Sequence, residues 1–147
     1  MRALVIVLSF ILASITPSVA NDAPPNLVGV WKTVSGVGLT GGGDSFKFGA
    51  GSSAELEITK QDGPVFSGVY RWSHPADVDT MDDGEKRTNT AEEAFIGVID
   101  WDNKSLLFVD HPDTTYWFGR LVNAKTIELV VGESGPNAVV SRSLLVR

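Results

Sequence analysis

The sequence contains no cysteine among its 147 residues. This absence excludes disulfides, thiolate sites for zinc or iron–sulfur clusters, a cysteine nucleophile and a lipid-anchored cysteine. Basic residues are also few, with 12 Lys and Arg against 18 Asp and Glu. Because nucleic-acid phosphates are bound by basic patches, this balance argues against a nucleic-acid partner. Beyond the N-terminus no apolar run approaches the ~20 residues of a membrane-spanning helix, so we expect no membrane span.

The N-terminal segment has the pattern of a cleaved secretory signal. Arg2 precedes an almost unbroken apolar stretch, Ala3 to Ile15, which Thr16-Pro17 ends. Ser18-Val19-Ala20 then places small residues at the two positions that a signal peptidase reads. The apolar stretch is shorter than the ~20 residues of a membrane anchor. We therefore expect a signal peptide over residues 1–20, a mobile leader over 21–26, and one secreted or periplasmic domain over 27–147.

Alternating apolar and polar residues predict strands through the rest of the chain. In the segment 54–60, Ala54, Leu56 and Ile58 share one face, which is typical of a half-buried strand. No segment shows a convincing helical pattern. Eight strands are predicted, over residues 27–35, 54–60, 65–73, 92–101, 105–110, 114–122, 126–131 and 138–146. The fold class is therefore all-β.

Tight and long connections alternate along these strands. Gln61–Pro64, Asp102–Lys104 and Asn123–Lys125 are tight turns, whereas Gly36–Ser53 and His74–Ala91 are long. In an up-and-down meander, alternate connections lie at the same end, so both long loops share one end. We predict an eight-stranded antiparallel up-and-down barrel, a size that can hold one small ligand, with its mouth at the long-loop end.

The first predicted strand carries the G-x-W sequence Gly29-Val30-Trp31, which resembles the calycin superfamily, the lipocalins and avidins in particular. Phe66–Tyr70 is similar to the third strand of avidin-type barrels, and Asp113–Gly119 to their sixth, with one residue inserted. The resemblance spans residues 27–147. It implies that Trp31 plugs the closed end of the barrel beneath an arginine from near the C-terminus, Arg142 or alternatively Arg147. Such a cation–π contact is worth about 0.5–2 kcal/mol.

The resemblance also implies a ligand pocket. Tyr70 and Trp117 lie where avidins place pocket residues, and Thr114 matches a polar contact. Most groups that hold biotin are missing, however, because Thr33 stands where avidins carry an Asn and Trp72 replaces a small polar residue. We expect an avidin-like barrel that does not bind biotin. The candidate residues for binding a small, partly apolar ligand are Thr33, Tyr70, Trp72, Phe108, Thr114 and Trp117.

Histidines and acidic residues give weaker candidates for a metal site. His74 and His111 lie in predicted mouth loops, and Asp110 and Asp113 flank His111, but no ligand spacing such as H-E-x-x-H joins them. The acidic loop Asp77–Glu85 departs from the calcium-loop register. We predict no metal and no cofactor.

Three further expectations concern single features of the loops. The glycine-rich segment Gly36–Gly51 is expected to be a flexible loop, because no phosphate-loop sequence follows it. Within it, Phe46 and Phe48 are expected to anchor to the barrel. Trp101, beside a tight turn, is expected to pack at the closed end.

Three function classes follow from this reading. The first is a non-enzymatic binder of a small ligand at the mouth. The second is a secreted protein-interaction or inhibitor module with a solid interior, acting through the acidic loop 77–85 or the leader. The third is a hydrolase or isomerase using Asp110, His111 and Asp113. No nucleophile elbow supports the third, and adjacent carboxylates such as Glu92 and Glu93 face opposite sides of a strand, so we expect no catalytic residues and no enzyme.

Overall fold

A computed structural model describes residues 23–48, 52–73, 90–111, 115–135 and 138–147. These residues form nine strands and no helix: β1 (Gly29–Thr40), β2 (Ser45–Phe48), β3 (Ser53–Asp62), β4 (Val65–Ser73), β5 (Thr90–Ile99), β6 (Ser105–His111), β7 (Thr115–Asn123), β8 (Thr126–Glu133) and β9 (Val139–Val146). Within the same ranges there is no helix long and apolar enough to cross a membrane. The predicted signal over residues 1–20 lies outside them.

The strands close into a barrel. From β3 to β9 each strand pairs antiparallel with the next along the chain, and β1 pairs with both β3 and β9. Eight strands, β1 and β3 to β9, therefore form the wall, and β2 is a short hairpin strand on β1. The predicted eight-stranded, antiparallel, up-and-down barrel is confirmed. The two-residue period succeeds here because each wall strand buries one face and exposes the other.

The glycine-rich segment differs from its prediction as a flexible loop. β1 continues to Thr40, and β2 folds back on it with Phe48 opposite Gly36 and Phe46 opposite Gly38. A Cβ atom at Gly36 would lie 2.6 Å from the Phe48 ring, and one at Gly38 would overlap the Phe46 ring. The two rings therefore occupy the space that the glycines leave and anchor to the barrel as expected, and residues 36–48 form a strand pair.

β1 changes partner along its length. Its first part, Gly29–Lys32, pairs with β3, and its later part, Gly36–Leu39, pairs with β2 on the same side. On the opposite side, the register with β9 shifts between Thr33 and Ser35. A β-bulge of this kind bends a strand and increases its twist. Thr33 thus lies at a seam in the wall, between the segments that pair with β3 and β2.

An aromatic cluster fills the middle of the barrel. Phe66 and Phe108 meet edge to face with ring centroids 5.1 Å apart, and Phe95 lies 5.5 Å from Phe108. Trp117 packs on the same cluster, 5.7 Å from Phe95. Below this layer, towards the tight turns, the buried side chains are Leu27, Trp31, Ile58, Ile99, Leu106, Ile127 and Leu145. The chain's own side chains therefore fill the middle of the barrel and its closed end.

Trp31 is buried at the closed end, and the arginine beside it differs from the one first expected. Trp31 has no exposed surface, and the guanidinium of Arg147, rather than that of Arg142, lies over its ring. Arg142 is exposed and sits on the outer face, opposite Val37 and Val130 in the register. The physical reason is that alternate residues of a strand face opposite sides. Arg142 is offset by one residue from the inward-facing residues of β9, so its side chain points outward.

Two other features of the closed end were not expected. Trp101 was predicted to pack there, but 97% of its surface is exposed in the turn between β5 and β6. The last residues of the predicted mobile leader contact the barrel, since Gln61 Nε2 donates to the carbonyl of Pro25 at 2.9 Å. Gln61 Oε1 also accepts the backbone N–H of Leu27 at 2.7 Å.

Candidate functional site

The sequence-predicted pocket residues separate into two groups. Tyr70, Phe108 and Trp117 belong to the packed interior: Phe108 and Trp117 are at most 1% exposed, and their ring centroids lie 5.8 Å apart. Tyr70 meets Trp117 edge to face at 4.7 Å. These three rings form the floor of the open end, and they pack against one another rather than around an empty space.

Thr33 and Trp72 instead line a cleft of about 680 Å³ at the open end. The cleft lies where the ends of β3, β4 and β5 meet the seam in β1. Its lining residues are Lys32, Thr33, Ser53, Ala54, Glu55, Arg71, Trp72, Ser73, Thr90, Ala91 and Glu92. The cleft therefore joins two predicted site residues to neighbours that the sequence did not single out.

Thr114 lies outside the described residues, but the next residue, Thr115, is described and is buried. Thr115 begins β7, is 5% exposed, and lies two residues before the inward-facing Trp117. His74, Asp113 and the acidic loop 77–85 also lie outside the described residues, and for His111 the backbone alone is described. Among the residues that are described, no group of three or more His, Asp or Glu side chains is placed to hold a metal ion.

Two carboxylates occupy inward positions above the aromatic floor. Glu93 on β5 stands opposite Tyr70, and Asp110 on β6 stands opposite Phe95. Asp110 is 4% exposed. Glu93 Oε1 accepts the indole N–H of Trp72 at 3.3 Å. The open end thus combines aromatic rings with one buried and one half-buried acidic group.

Burial and the two inward carboxylates together change the pKa of Tyr70. Its pKa is raised above the ordinary tyrosine value, first by burial and then by the negative charges of Glu93 and Asp110. Burial and neighbouring anions both disfavour the charged phenolate. The phenol therefore stays neutral at physiological pH, and both carboxylates act on the same small volume.

On the outer side of the cleft, Arg71 holds three acidic side chains together. Its guanidinium lies 2.6 Å from Glu92, 2.7 Å from Glu57 and 3.6 Å from Glu55. The pKa of Arg71 is raised chiefly by hydrogen bonds to Glu57 and Glu92. Exposed pairs of this kind contribute little stability singly, but the network fixes the rim of the cleft.

The indole N–H of Trp117 is the other notable polar group. The side chain is 1% exposed, and its Nε1 atom has no hydrogen-bond partner within the described part of the chain. On β7, Trp117 is the next inward residue below Thr115, so it lies at the floor of the acidic layer. A buried donor without an acceptor is unfavourable, and a bound acceptor would relieve that cost.

The predicted ligand pocket did not include Glu93, Asp110 or Thr115, and Asp110 was considered only as a metal ligand or an acid–base group. A signal for each was present in the strand phase. Glu93 is two residues from the buried Phe95, and Asp110 is two residues from the buried Phe108. The same alternation correctly placed Glu92 and Glu93 on opposite faces of β5, since Glu92 contacts Arg71 outside and Glu93 contacts Trp72.

Comparisons with known proteins give a likeness to solved structures and no family. No family model matches the chain. No curated protein matches it either. Among solved structures, the chain is similar to a redesigned β-barrel, mFAP0, which was solved bound to DFHBI. The identity is 11%, the match covers 82% of this chain and 98% of that chain, and the TM-score is 0.46.

Proposed function

We propose that this protein is an exported, non-enzymatic barrel of calycin, avidin-like type that binds a small, partly apolar ligand in the open-end cleft. The observation that carries the proposal is the cleft of about 680 Å³ beside Trp72 and Thr33. Sites for small molecules typically have volumes of roughly 300–1,000 Å³. Because the lower barrel is filled, the ligand binds at the mouth and does not reach the closed end.

The lining of the cleft suits a ligand of mixed polarity. Trp72, Ala54 and Ala91 supply apolar surface, while Thr33 and Thr90 supply hydroxyl groups. Small-molecule sites commonly combine apolar walls with a few polar groups that fix orientation. Biotin remains a poor candidate, since the hydrogen-bonding groups that avidins use for it are mostly replaced in this sequence.

A ligand screen read by two methods tests the binding proposal. A ligand that binds only the folded protein raises its stability, by about 2.7 kcal/mol at a concentration of 100 Kd. We expect library compounds that raise the melting temperature and also change tryptophan emission. The emission change should be lost in Trp72→Phe and retained in Trp101→Phe, because Trp101 is exposed at the opposite end. Ligands that act equally on both variants, or no ligand at all, would contradict the proposal.

Export is tested separately. If residues 1–20 form a cleaved signal, the mature protein begins at Asn21. Expression of the full chain in a bacterial host with an export pathway, followed by intact-mass measurement of the periplasmic or secreted fraction, should give that mass. Full-length protein confined to the cytoplasm would contradict export.

The alternative function, a protein-interaction module, is favoured by one observation on the outer wall. Ile96 on β5 and Tyr116 and Phe118 on β7, the two strands that flank β6, are 54% to 65% exposed. Large exposed apolar patches commonly mark protein-binding surfaces. If no compound binds the cleft and a purified partner binds the wild type but not Phe118→Lys, this alternative replaces the first proposal.

A further inference from the structure

We propose that the open-end cleft binds a neutral saccharide, which is held by hydroxyl side chains and by a rim of paired charges. This inference rests on the proposed function and adds the chemical class of the ligand. A sugar is amphipathic, because its C–H groups form apolar patches while its hydroxyl groups both donate and accept hydrogen bonds. The lining of the cleft offers a partner for each of these properties.

The charged side chains of the cleft balance one another. The cleft is lined by two cations, Lys32 and Arg71, and by two carboxylates, Glu55 and Glu92. Lys32 lies 3.9 Å from Glu55, and Arg71 lies 2.6 Å from Glu92 and 3.6 Å from Glu55. A charged ligand would meet groups of both signs at short range and would gain little net attraction. The lining therefore favours a ligand that is polar but uncharged.

Hydroxyl side chains form a row along the same cleft. Ser53 on β3 stands opposite Ser73 on β4, and Ser73 stands opposite Thr90 on β5. Thr33 adds a fourth hydroxyl from the seam in β1. Within the described part of the chain, none of these four side chains makes a hydrogen bond. Because a hydroxyl group can donate or accept, each can bond a sugar hydroxyl of either orientation.

The ion pairs beside the hydroxyl row supply further hydrogen-bond partners in fixed positions. In the register Glu55 stands opposite Arg71, and Arg71 stands opposite Glu92. A carboxylate has about four acceptor sites, so both carboxylates can still accept from a ligand after pairing with Arg71. Because the pairs already hold these side chains in place, less side-chain entropy is lost when a ligand binds.

An apolar row lies one residue further along the same three strands. Trp72 stands between Ala54 and Ala91 in the register, and all three residues line the cleft. The residues of the hydroxyl row are the terminal residues of their strands, so both rows lie at the edge of the wall. Since successive residues of a strand face opposite sides, the two rows lie on opposite faces of that edge. A sugar lying across the edge contacts one row with its hydroxyl groups and the other with its C–H groups.

Binding of neutral disaccharides to the purified protein tests the inference. Sugars at high concentration stabilise proteins by exclusion from their surface, so a shift in melting temperature would not by itself show binding. Saturation-transfer difference NMR with cellobiose, maltose and N,N′-diacetylchitobiose detects contact directly, and a titration gives Kd. We expect at least one of the three to bind saturably.

Charged disaccharides test the electrical balance of the cleft. The chitosan dimer is the cationic, deacetylated form of diacetylchitobiose, and digalacturonate is an anion of similar size. We expect both to bind more weakly than the neutral sugar that binds best, because neither charge gains a net attraction. The tetrasaccharide of that neutral sugar then distinguishes two sources of the ligand. Tighter binding of the tetrasaccharide indicates a unit of a chain, and weaker binding indicates a free sugar.

Variants that lack one hydroxyl group locate the site. Ser73→Ala and Thr90→Val should each weaken binding of that neutral sugar by about threefold to tenfold, the effect of one lost hydrogen bond. Thr126→Val is the matched control, because Thr126 begins β8 at the closed end and should leave Kd unchanged. A thermal melt confirms that each variant folds. If a variant does not fold, the comparison of neutral with charged disaccharides, measured on the wild type, still decides.

The outcomes separate this inference from the function on which it rests. The saccharide inference would be overturned if no neutral disaccharide bound, if a charged one bound more tightly than all three, or if Ser73→Ala and Thr90→Val bound as the wild type does. The proposed function would still stand if library compounds bound with the Trp72-dependent signal. If neither sugars nor library compounds bound at the cleft, both proposals would fail.

Discussion

The guanidinium carbon of Arg147 lies 4.4 Å from the centroid of the Trp31 indole ring. The same side chain donates hydrogen bonds to the carbonyl oxygens of Asn26 and Ala124, both at 3.0 Å. Trp31 in turn donates its N–H to the carbonyl of Leu27 at 2.9 Å. One arginine thus joins the segment before β1 to the turn between β7 and β8, and covers the plug.

Arg147→Ala should therefore destabilise the barrel. The change removes the cation–π contact and hydrogen bonds to carbonyl oxygens, so we expect a loss of about 1–2 kcal/mol in the free energy of unfolding. Urea denaturation followed by circular dichroism measures it. Arg142→Ala is the matched control on the outer face and should stay within about 0.5 kcal/mol of the wild type. Equal losses in the two variants would contradict the assignment of Arg147 to the plug.

The alternation of inward and outward residues along a strand decides which arginine reaches Trp31 at the closed end, but it does not decide the exposure of Trp101. Leu145 is fully buried, and Arg147 is two residues further on, in the same phase, whereas Arg142 is out of phase. The choice between the two arginines could therefore be made from alternation alone. The exposure of Trp101 could not, because a residue in a turn belongs to neither face of a strand and its burial depends on what packs across the turn.

The candidate site shows the limit of the same reasoning. Alternation predicts that Tyr70, Phe108 and Trp117 point inward, and they do. It does not predict how far along the barrel axis each side chain lies. Inward residues on different strands lie at different heights, which the register and the tilt of the strands set. Whether three inward rings surround a cavity or fill it depends on long-range pairing, which a single strand's sequence does not contain.

Gly68→Ala tests how closely the wall strands approach one another. A Cβ atom at Gly68 would overlap the backbone carbonyl oxygen of Glu57 on β3 and lie 2.7 Å from the Phe95 ring. Backbone in a paired strand cannot move aside as a flexible side chain does. We expect a loss of about 3 kcal/mol or more in the free energy of unfolding, at the upper end for overpacked sites.

Gly132→Ala is the matched control, because a Cβ atom there would meet nothing within 4 Å. This variant should be neutral or slightly stabilising, since alanine reduces the conformational entropy of the unfolded chain. Chemical denaturation of both variants measures the difference. A mild effect at Gly68, similar to that at Gly132, would show that the approach of β3 to β4 is looser than described.

Tyr70 should make stability fall at alkaline pH. Its pKa is raised in the folded protein above the ordinary value of 10.0. Above pH 10 the unfolded chain releases this proton and the folded chain retains it, so stability present below pH 10 decreases as pH rises. The free energy of unfolding, measured between pH 8 and 11, should fall less steeply in Tyr70→Phe than in the wild type.

Two further variants sharpen that measurement. Glu93→Gln removes one of the charges that raise the pKa of Tyr70, so it should reduce the alkaline slope in part. Tyr116→Phe removes a phenol from the outer face and serves as the matched control. An alkaline slope that is the same in Tyr70→Phe and in the wild type would contradict the buried, acid-flanked position of this phenol.

Asp102 should act at the opposite end of the pH range. Its carboxylate accepts the backbone N–H groups of Ser105 and Lys104, at 2.7 and 2.8 Å, and the Ser105 hydroxyl at 2.7 Å. These bonds, those to Ser105 first, lower the pKa of Asp102 from 3.8 to about 2. A lowered pKa means that the stabilisation is present above pH 3.8 and is lost as pH falls towards 2.

A carboxyl-detected NMR titration between pH 1.5 and 6 measures this directly. We expect the Asp102 carbon signal to titrate with a midpoint near 2 in the wild type, and at higher pH in Ser105→Ala, which removes the hydroxyl donor but keeps both backbone donors. In Asp102→Asn, the acid-dependent loss of stability between pH 3.8 and 2 should shrink, whereas Asp62→Asn, at the exposed end of β3, should not change it. A wild-type midpoint near 3.8 would show that the turn does not hold the carboxylate as described, because an aspartate without these bonds titrates there.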